Sequence, residues 1–293
     1  MKFTTVISTL SVVSLPALAS VTPVKRAASS DVEILNFALT LEHLEVAFYS
    51  GGLSKFSQSA FRSSGFSAED RNRYEQILEH EQTHVTFLTN AIKAAGGRPV
   101  KPCTYSFPYK NVEQWVDISY TLESVGTSAY NGAIGAFKSK SYATRAGSIM
   151  GVEARQSAWI NSAVRGENPW NTAFETPLDM NQAFTLAKPF IVKCPTSNVR
   201  LPVKANPPLT VGKAVGGNNV ALTFSVPRGV GSKPLFAAWL TGTGTVFTRI
   251  TNKQTKVPRG LLGFVYVIIT TSGNVVTDAN TVAGPAVVTF PFN

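Results

Sequence analysis

The spacing of apolar residues changes midway along this 293-residue chain, and the change limits the folds that it can adopt. Between residues 31 and 164 the apolar residues recur every three or four positions, which is typical of helices with one buried face. After residue 195 they alternate with polar residues, which is typical of strands. The length also exceeds the usual size of one hydrophobic core. The sequence therefore predicts an α+β chain of two units, the first helical and the second β.

The helical unit is predicted to contain four helices, each ending at turn or capping residues. Gly51 and Gly52 are expected to stop the first helix, and Ser67 to cap the start of the second. A Pro-containing connection over 98–110 is long enough for a crossover between the second and third helices. The predicted helices cover about 31–50, 68–95, 112–138 and 141–164. This pattern favours a four-helix bundle with one long connection.

The second unit is predicted to be an antiparallel β-sandwich of immunoglobulin-like type. Its strands are short, regularly spaced and separated by Gly, Pro, Asn and Lys, as in sandwich folds. Segment 198–208 is either a Pro-rich linker or the first edge strand. The expected strands are 220–226, 234–240, 245–251, 261–271 and 286–292.

Each predicted helix carries a glutamate within its apolar stripe. His84 follows the second of these glutamates by three residues, and Gln156 follows the fourth by three. Because isolated buried carboxylates are costly, four converging glutamates require protonation or a countercharge. Di-iron and di-manganese bundles take one Glu from each of two helices and Glu-x-x-His from each of the other two. The glutamates that follow this pattern here are Glu42, Glu81, Glu123 and Glu153.

Other residues near these stripes each have alternative roles. Tyr49 and Tyr130 are placed either to hydrogen-bond the carboxylates or simply to pack. Glu45 is interpreted as a surface charge, with a role as an alternate ligand as the other option, and Arg155 as an alternative countercharge. We expect His43, His80 and Glu79 at the rim or surface, and Trp115, Trp159 and Trp170 in the core or at interfaces.

The motifs around the glutamates resemble the ferritin-like superfamily, specifically a secreted fungal branch of desiccation-related, stress-response (Rds1-like) and late-sexual-development proteins. The resemblance spans roughly 31–195 and is carried by 41–49 (LEHLEVAFY), 79–85 (EHEQTHV), 122–126 (LESVG) and 152–156 (VEARQ). It implies a di-iron or di-manganese centre acting on iron, dioxygen or peroxide, with ferroxidase, peroxidase or catalase chemistry. The implied ligands are Glu42, Glu81, His84, Glu123 and Glu153, with Gln156 as a substitute ligand or a spectator.

Gln156 departs from this pattern, because the resemblance leads us to expect a second histidine there. A glutamine is a weaker, neutral donor, and its presence removes an imidazole of the kind that suits iron. The second metal position is therefore predicted to bind weakly, which leaves a two-metal centre, a one-metal centre and a metal-free bundle as alternatives. In a metal-free bundle, ion pairs and hydrogen bonds would have to satisfy the glutamates.

The first residues predict secretion. Lys2 precedes an apolar run over 3–15, and small residues at 17–19 fit a signal-peptidase site, so 1–19 is interpreted as a signal peptide. Neither that run nor any later one reaches the ~20 apolar residues that span a bilayer. We expect a protein that is secreted and extracellular, with the cell wall as a further location.

A dibasic pair and two cysteines support this interpretation. The Lys25-Arg26 pair resembles a processing site, which predicts a propeptide over 20–26; the alternative is two solvated charges in a tail. The mature chain would then contain the bundle over 27–196 and the sandwich over 197–293. In an oxidising compartment the two cysteines, Cys103 and Cys194, are predicted to form a disulfide instead of a metal site.

The net charge of +10 is concentrated in the predicted β unit. Residues 31–196 contain 15 Lys and Arg against 16 Asp and Glu, whereas 197–293 contain nine against one, Asp278. With neither His nor Cys, the β unit is unsuited to acid–base or metal chemistry. An alternative function is therefore noncatalytic binding of cell-wall polysaccharide or another anionic surface. Nucleic acid is not expected as a partner, because the chain is predicted to be secreted and lacks a basic helix.

Overall fold

The computed structural model describes residues 30–292, and its first half is helical. The signal peptide and propeptide predicted over 1–19 and 20–26 lie outside the described residues. A π-helical turn, Ile160–Val164, extends the fifth helix. The α-helices are α1 (Asp31–Lys55), α2 (Gln58–Ser63), α3 (Ala68–Ala94), α4 (Val112–Ile134), α5 (Lys140–Trp159) and α6 (Met180–Ala187). Within 30–292, no helix has the length and apolar character needed to cross a bilayer.

Helices α1, α3, α4 and α5 form an antiparallel bundle. The guanidinium of Arg71, in the first turn of α3, donates to the carbonyl of Leu53 near the end of α1. The carboxylate of Asp31, at the start of α1, accepts from the N–H of Lys138 just beyond α4. Connection 95–111 therefore runs the length of the bundle between the end of α3 and the start of α4. This is the crossover that the sequence predicts.

Helix α1 continues through Gly51 and Gly52, so the predicted stop at these glycines is wrong. Gly52 faces the indole of Trp115 on α4, and a Cβ at position 52 would lie 1.9 Å from its Nε1 atom. The glycine thus allows two helices to approach closely around a large ring. Trp115 is fully buried there and stacks on Phe48 of α1.

A short ribbon ties the crossover to the segment after α6. Strand β1 (Thr104–Tyr105) pairs antiparallel with β2 (Ile191–Lys193). The disulfide between Cys103 and Cys194 lies at this ribbon and joins residues 91 positions apart. The predicted cysteine pairing is confirmed.

The second half is an antiparallel seven-stranded sheet in the order β3-β4-β7-β6-β5-β8-β9. This matches the immunoglobulin order, ABED beside CFG, with β6 pairing on both sides. The sheet nearly closes into a barrel, because Gly284 of β9 donates to the carbonyl of Pro207, just before β3. The strands are β3 (Leu209–Val211), β4 (Asn219–Phe224), β5 (Phe236–Thr241), β6 (Gly244–Thr251), β7 (Gln254–Lys256), β8 (Gly263–Thr270) and β9 (Thr281–Phe290).

The bundle and the sheet share hydrophobic packing through β8. Phe264, Tyr266 and Ile268 join the core of the helices, whereas the alternating residues, such as Val265 and Val267, fill the interior of the sheet. Every residue of β8 is buried as a result.

The prediction that Trp170 lies in the core or an interface is wrong, because 65% of this residue is exposed in the loop after α5.

Candidate metal centre

Five glutamates and one histidine are buried together inside the bundle. Each helix presents its members inward because residues three positions apart share a helix face. None of these residues is more than 8% exposed. The set consists of Glu42 and Glu45 from α1, Glu81 and His84 from α3, Glu123 from α4, and Glu153 from α5, with Gln156 beside them.

His84 is the cationic group that faces these carboxylates. Its Nδ1 atom lies 3.0 Å from Oε2 of Glu81, 3.2 Å from Oε2 of Glu42 and 3.5 Å from Oε1 of Glu153. Burial alone would lower the pKa of His84, but the hydrogen bonds with Glu42 and Glu81 outweigh it and raise that pKa to about 10. Among residues 30–292, one positively charged side chain therefore contacts this cluster of five carboxyl groups.

Four of these carboxyl groups resist ionisation in this environment. Burial raises the pKa of Glu42 to about 7, even though the hydrogen bond from His84 favours its charged form. Burial, reinforced by neighbouring carboxylates, raises the pKa of Glu45, Glu123 and Glu153 well above the usual range. Without a further cation, the cluster must retain protons to limit its own repulsion.

Several buried oxygens of the cluster lack a hydrogen-bond donor among the described residues. They are Oε2 of Glu123, both carboxylate oxygens of Glu153, and Oε1 of Gln156. Such atoms are costly to bury, so an ion is one of the standard explanations for them. A Cβ at Gly126 would lie 2.5 Å from Oε2 of Glu153, so the glycine leaves room for this carboxylate. These features fit a bound cation.

One subset of the cluster has the geometry of a single ion site. Glu42, Glu81, His84 and Glu153 each offer one ligand atom, and these atoms lie within 4.8 Å of one another. Glu123 lies beside this subset and interacts electrostatically with Glu81. The structure thus brings together all the glutamates and the histidine predicted from the helical stripes.

Three neutral side chains hold the carboxylates in place. The hydroxyl of Tyr49 donates to Oε1 of Glu123, and that of Tyr130 donates to Oε1 of Glu42. The amide Nε2 of Gln156 donates to Oε1 of Glu81 at 2.7 Å. Both tyrosines therefore contact carboxylates instead of only packing, and Gln156 contacts a carboxylate through its nitrogen.

Two sequence interpretations near the cluster are wrong. Glu45 is 4% exposed and is not a surface charge; its position three residues after Glu42 was the signal that places it on the same face. Arg155 is exposed and does not face the glutamates. The positively charged side chain that contacts them is His84. As predicted, His80 and Glu79 are exposed, and His43 is half-buried with its Nε2 atom 3.2 Å from the carbonyl of Val100.

Comparison with known proteins agrees with this architecture. A family model described as a ferritin-like domain matches residues 30–166. The chain is also 30% identical, over 171 residues, to Protein rds1 of Schizosaccharomyces pombe (strain 972 / ATCC 24843). That alignment covers 58% of this chain and 42% of the relative, so the chain spans less than half of the relative's length. The helical part of the chain, over residues 30–166, is therefore a ferritin-like domain.

Proposed function

We propose that this chain is a ferritin-like metalloprotein whose cluster holds iron or manganese and acts on iron, dioxygen or peroxide. The observation that carries the proposal is the set of buried oxygens on Glu123 and Glu153 that lack a hydrogen-bond donor among the described residues, beside the four-residue ligand group. Carboxylate-rich sites suit manganese, and imidazole extends the range to iron. Such metals, when bound, supply the electron transfer to dioxygen or peroxide.

The chain's own residues define one strong position and one weak position. Glu42, Glu81, His84 and Glu153 would hold the first ion. Glu123 would hold the second, with Glu81 and Glu153 as its neighbouring carboxylates, and Gln156 stands there in place of a histidine. Binding requires that His84 and the carboxyl groups release protons. Tyr49 and Tyr130 orient two of the carboxylates by donating to one oxygen of each.

The same proposal includes secretion and a role in stress response or development. A disulfide between Cys103 and Cys194 is typical of proteins that leave the reducing cytosol. The signal peptide over 1–19 and the propeptide over 20–26 remain predictions from the sequence. The similarity to a fungal relative supports the proposed biological role.

Elemental analysis of the secreted full chain tests the metal proposal. We expect one to two equivalents of iron or manganese per chain, and loss of most of this metal in the Glu81→Ala and Glu123→Ala variants. Glu79→Ala is the matched control, because this glutamate is exposed on the same helix as Glu81. A metal-free protein whose stability is unchanged by the Glu81 and Glu123 substitutions contradicts the proposal.

A second function is favoured by the charge of the sheet. Residues 197–292 contain nine basic residues and one acidic residue, and Lys213, Lys253 and Lys256 are among those exposed. Such a surface attracts anionic polymers. Under this alternative the bundle is a noncatalytic scaffold, and the sheet binds cell-wall polysaccharide or another anionic surface. The metal-free outcome above would favour this alternative.

A further inference from the structure

A cavity of about 90 Å³ lies between α1, α4 and the C-terminal end of α6 with the residues just after it. Its wall is almost entirely apolar. Most of the lining comes from Leu41, Leu44, Leu122, Val125, Leu186 and Phe190. Ala187 also lines the cavity, and its small side chain helps to leave the space open.

The inner end of the cavity reaches the carboxylate cluster. Glu45 and Gly126 both line it, and Glu45 is a member of the cluster. A Cβ at Gly126 would lie 3.1 Å from Oε1 of Glu45 and 2.5 Å from Oε2 of Glu153. Gly126 therefore lies both at the cavity wall and beside the carboxylates of Glu45 and Glu153.

The other end of the cavity faces outward. Thr121, Leu186 and Phe190 are partly exposed, whereas Leu44 and Val125 farther in are buried. The lining thus changes from half-exposed side chains to buried ones and then to the cluster. The cavity therefore extends from partly exposed residues to Glu45, a member of the carboxylate cluster.

The lining selects for a small apolar molecule. Metal ions and peroxide need polar partners, which apolar walls do not offer. An apolar cavity of about 150 Å³ stays dry and takes benzene or xenon, so a smaller one of similar lining suits a diatomic gas. We propose that this cavity binds dioxygen and leads it to the carboxylate cluster. The second part rests on the proposed function, in which dioxygen is a reactant of that cluster.

Methyl NMR of the chelator-treated full chain under raised dioxygen pressure tests the cavity directly. Dioxygen is paramagnetic, so we expect relaxation of the methyl groups of Leu44 and Val125 to be enhanced severalfold more than that of Leu222 in the sheet core. Ala187→Leu fills the cavity and should reduce this enhancement severalfold. Ala136→Leu makes the same change at an exposed position and should leave it unaltered. Leu186→Ala, at the outer end, should preserve or increase it.

Each outcome of this experiment either supports or overturns dioxygen binding in the cavity. Equal enhancement at Leu44 and Leu222 in the unmodified chain overturns the proposal, as does an enhancement that Ala187→Leu does not reduce. A collapse of the fold in Ala187→Leu would be seen in its spectrum, and Leu186→Ala then supplies the comparison. The measurement needs no bound metal, so it stands even if the metal proposal fails.

Dioxygen consumption by the iron-loaded chain tests the passage. Ala187→Leu should raise the KM for dioxygen severalfold and leave kcat at saturating dioxygen and peroxide consumption nearly unchanged. An unchanged KM, or an equal loss with peroxide, overturns the passage. Absence of bound iron and of consumption in the unmodified chain instead contradicts the proposed function, while the NMR result still decides whether the cavity binds dioxygen.

Discussion

At the scale of single residues, Gln156 distinguishes this cluster from the pattern in which two helices each carry Glu-x-x-His. Its amide nitrogen donates to Glu81 at 2.7 Å, and its oxygen has no donor among the described residues. The amide thus occupies one carboxylate oxygen of Glu81, a member of the candidate ligand group. We infer that the position near Glu123 is the weaker of the two.

Gln156→His should strengthen that position. An imidazole in place of the amide adds a donor that suits iron and releases Oε1 of Glu81 for the metal. We expect the weaker equivalent of metal to bind about tenfold more tightly or better, on the scale by which single side chains around metal sites change affinity. Calorimetric titration with iron(II) under anaerobic conditions measures this.

Gln156→Leu provides the control for that experiment. It removes the amide without adding a ligand, so it should leave Oε1 of Glu81 without its donor and should not tighten the second equivalent. Equal titration curves for the unmodified chain and Gln156→His would show that position 156 does not contact the metal.

At the scale of elements, β8 and α4 are joined through a buried tyrosine. The hydroxyl of Tyr266 donates to Oγ of Ser128 at 2.8 Å, and it lies 3.2 Å from the carbonyl of Ser124. Its ring packs edge-to-face against Phe264 within the shared core. The hydroxyl therefore fixes the register of the sheet on the helix that carries Glu123.

Tyr266→Phe should destabilise the whole chain by about 1 to 3 kcal/mol, because it leaves the buried Ser128 hydroxyl without its partner. The midpoint of urea unfolding measures the loss, with Tyr142→Phe as a control in a half-buried part of α5. Loss of the β signal at lower urea than the helical signal, in place of one shared transition, would mean that the two halves unfold separately.

Elements with a long periodic pattern were predictable from the sequence, and short ones were not. The four long helices and five strands follow the predicted segments, with ends displaced by a few residues. Strands β1, β2 and β7 were missed, because a strand of two or three residues is too short to show an alternating pattern. Segment 198–208, predicted as a linker or first edge strand, ends just before β3. Helices α2 and α6 are likewise too short to show a full stripe.

The site was predictable for the same reason, and its surroundings were not. Glu42, Glu81, Glu123 and Glu153 lie within apolar stripes, so the helical period brings them together. Glu45 was assigned to the surface because a single stripe was counted, whereas α1 is buried around most of its circumference. The cavity depends on α6 packing across α1 and α4, a tertiary contact that no local pattern shows.

At the scale of the whole molecule, charge is divided between an acidic interior and a basic sheet. The helical half buries five carboxyl groups inside the bundle, and the raised pKa values of four of them favour their protonated forms. The sheet displays its positive charge to solvent. Because a buried cluster titrates together with folding, the stability of the entire chain should depend on pH and on metal.

The metal-free chain should lose stability as pH rises from about 5 to 8. The pKa of Glu42 is raised from 4.5 to about 7 on folding, so its contribution is complete below 4.5 and is lost as pH rises through 7. This contribution is about 3 kcal/mol at that shift. Glu45, Glu123 and Glu153 act in the same direction. His84 adds a loss between its unfolded value of 6.5 and its folded value of about 10.

Bound metal should reverse the fall of stability with rising pH. Protons compete with metal for the same ligand atoms, so metal binds the folded state more tightly as pH rises and stabilises it more. Urea midpoints measured from pH 5 to 8, in chelator and in excess manganese(II), should therefore fall in the first series and hold level or rise in the second. Glu42→Gln removes one titrating group and should flatten the chelator series. Rising stability with pH in chelator would contradict a protonated cluster, and parallel curves in the two series would contradict metal binding there.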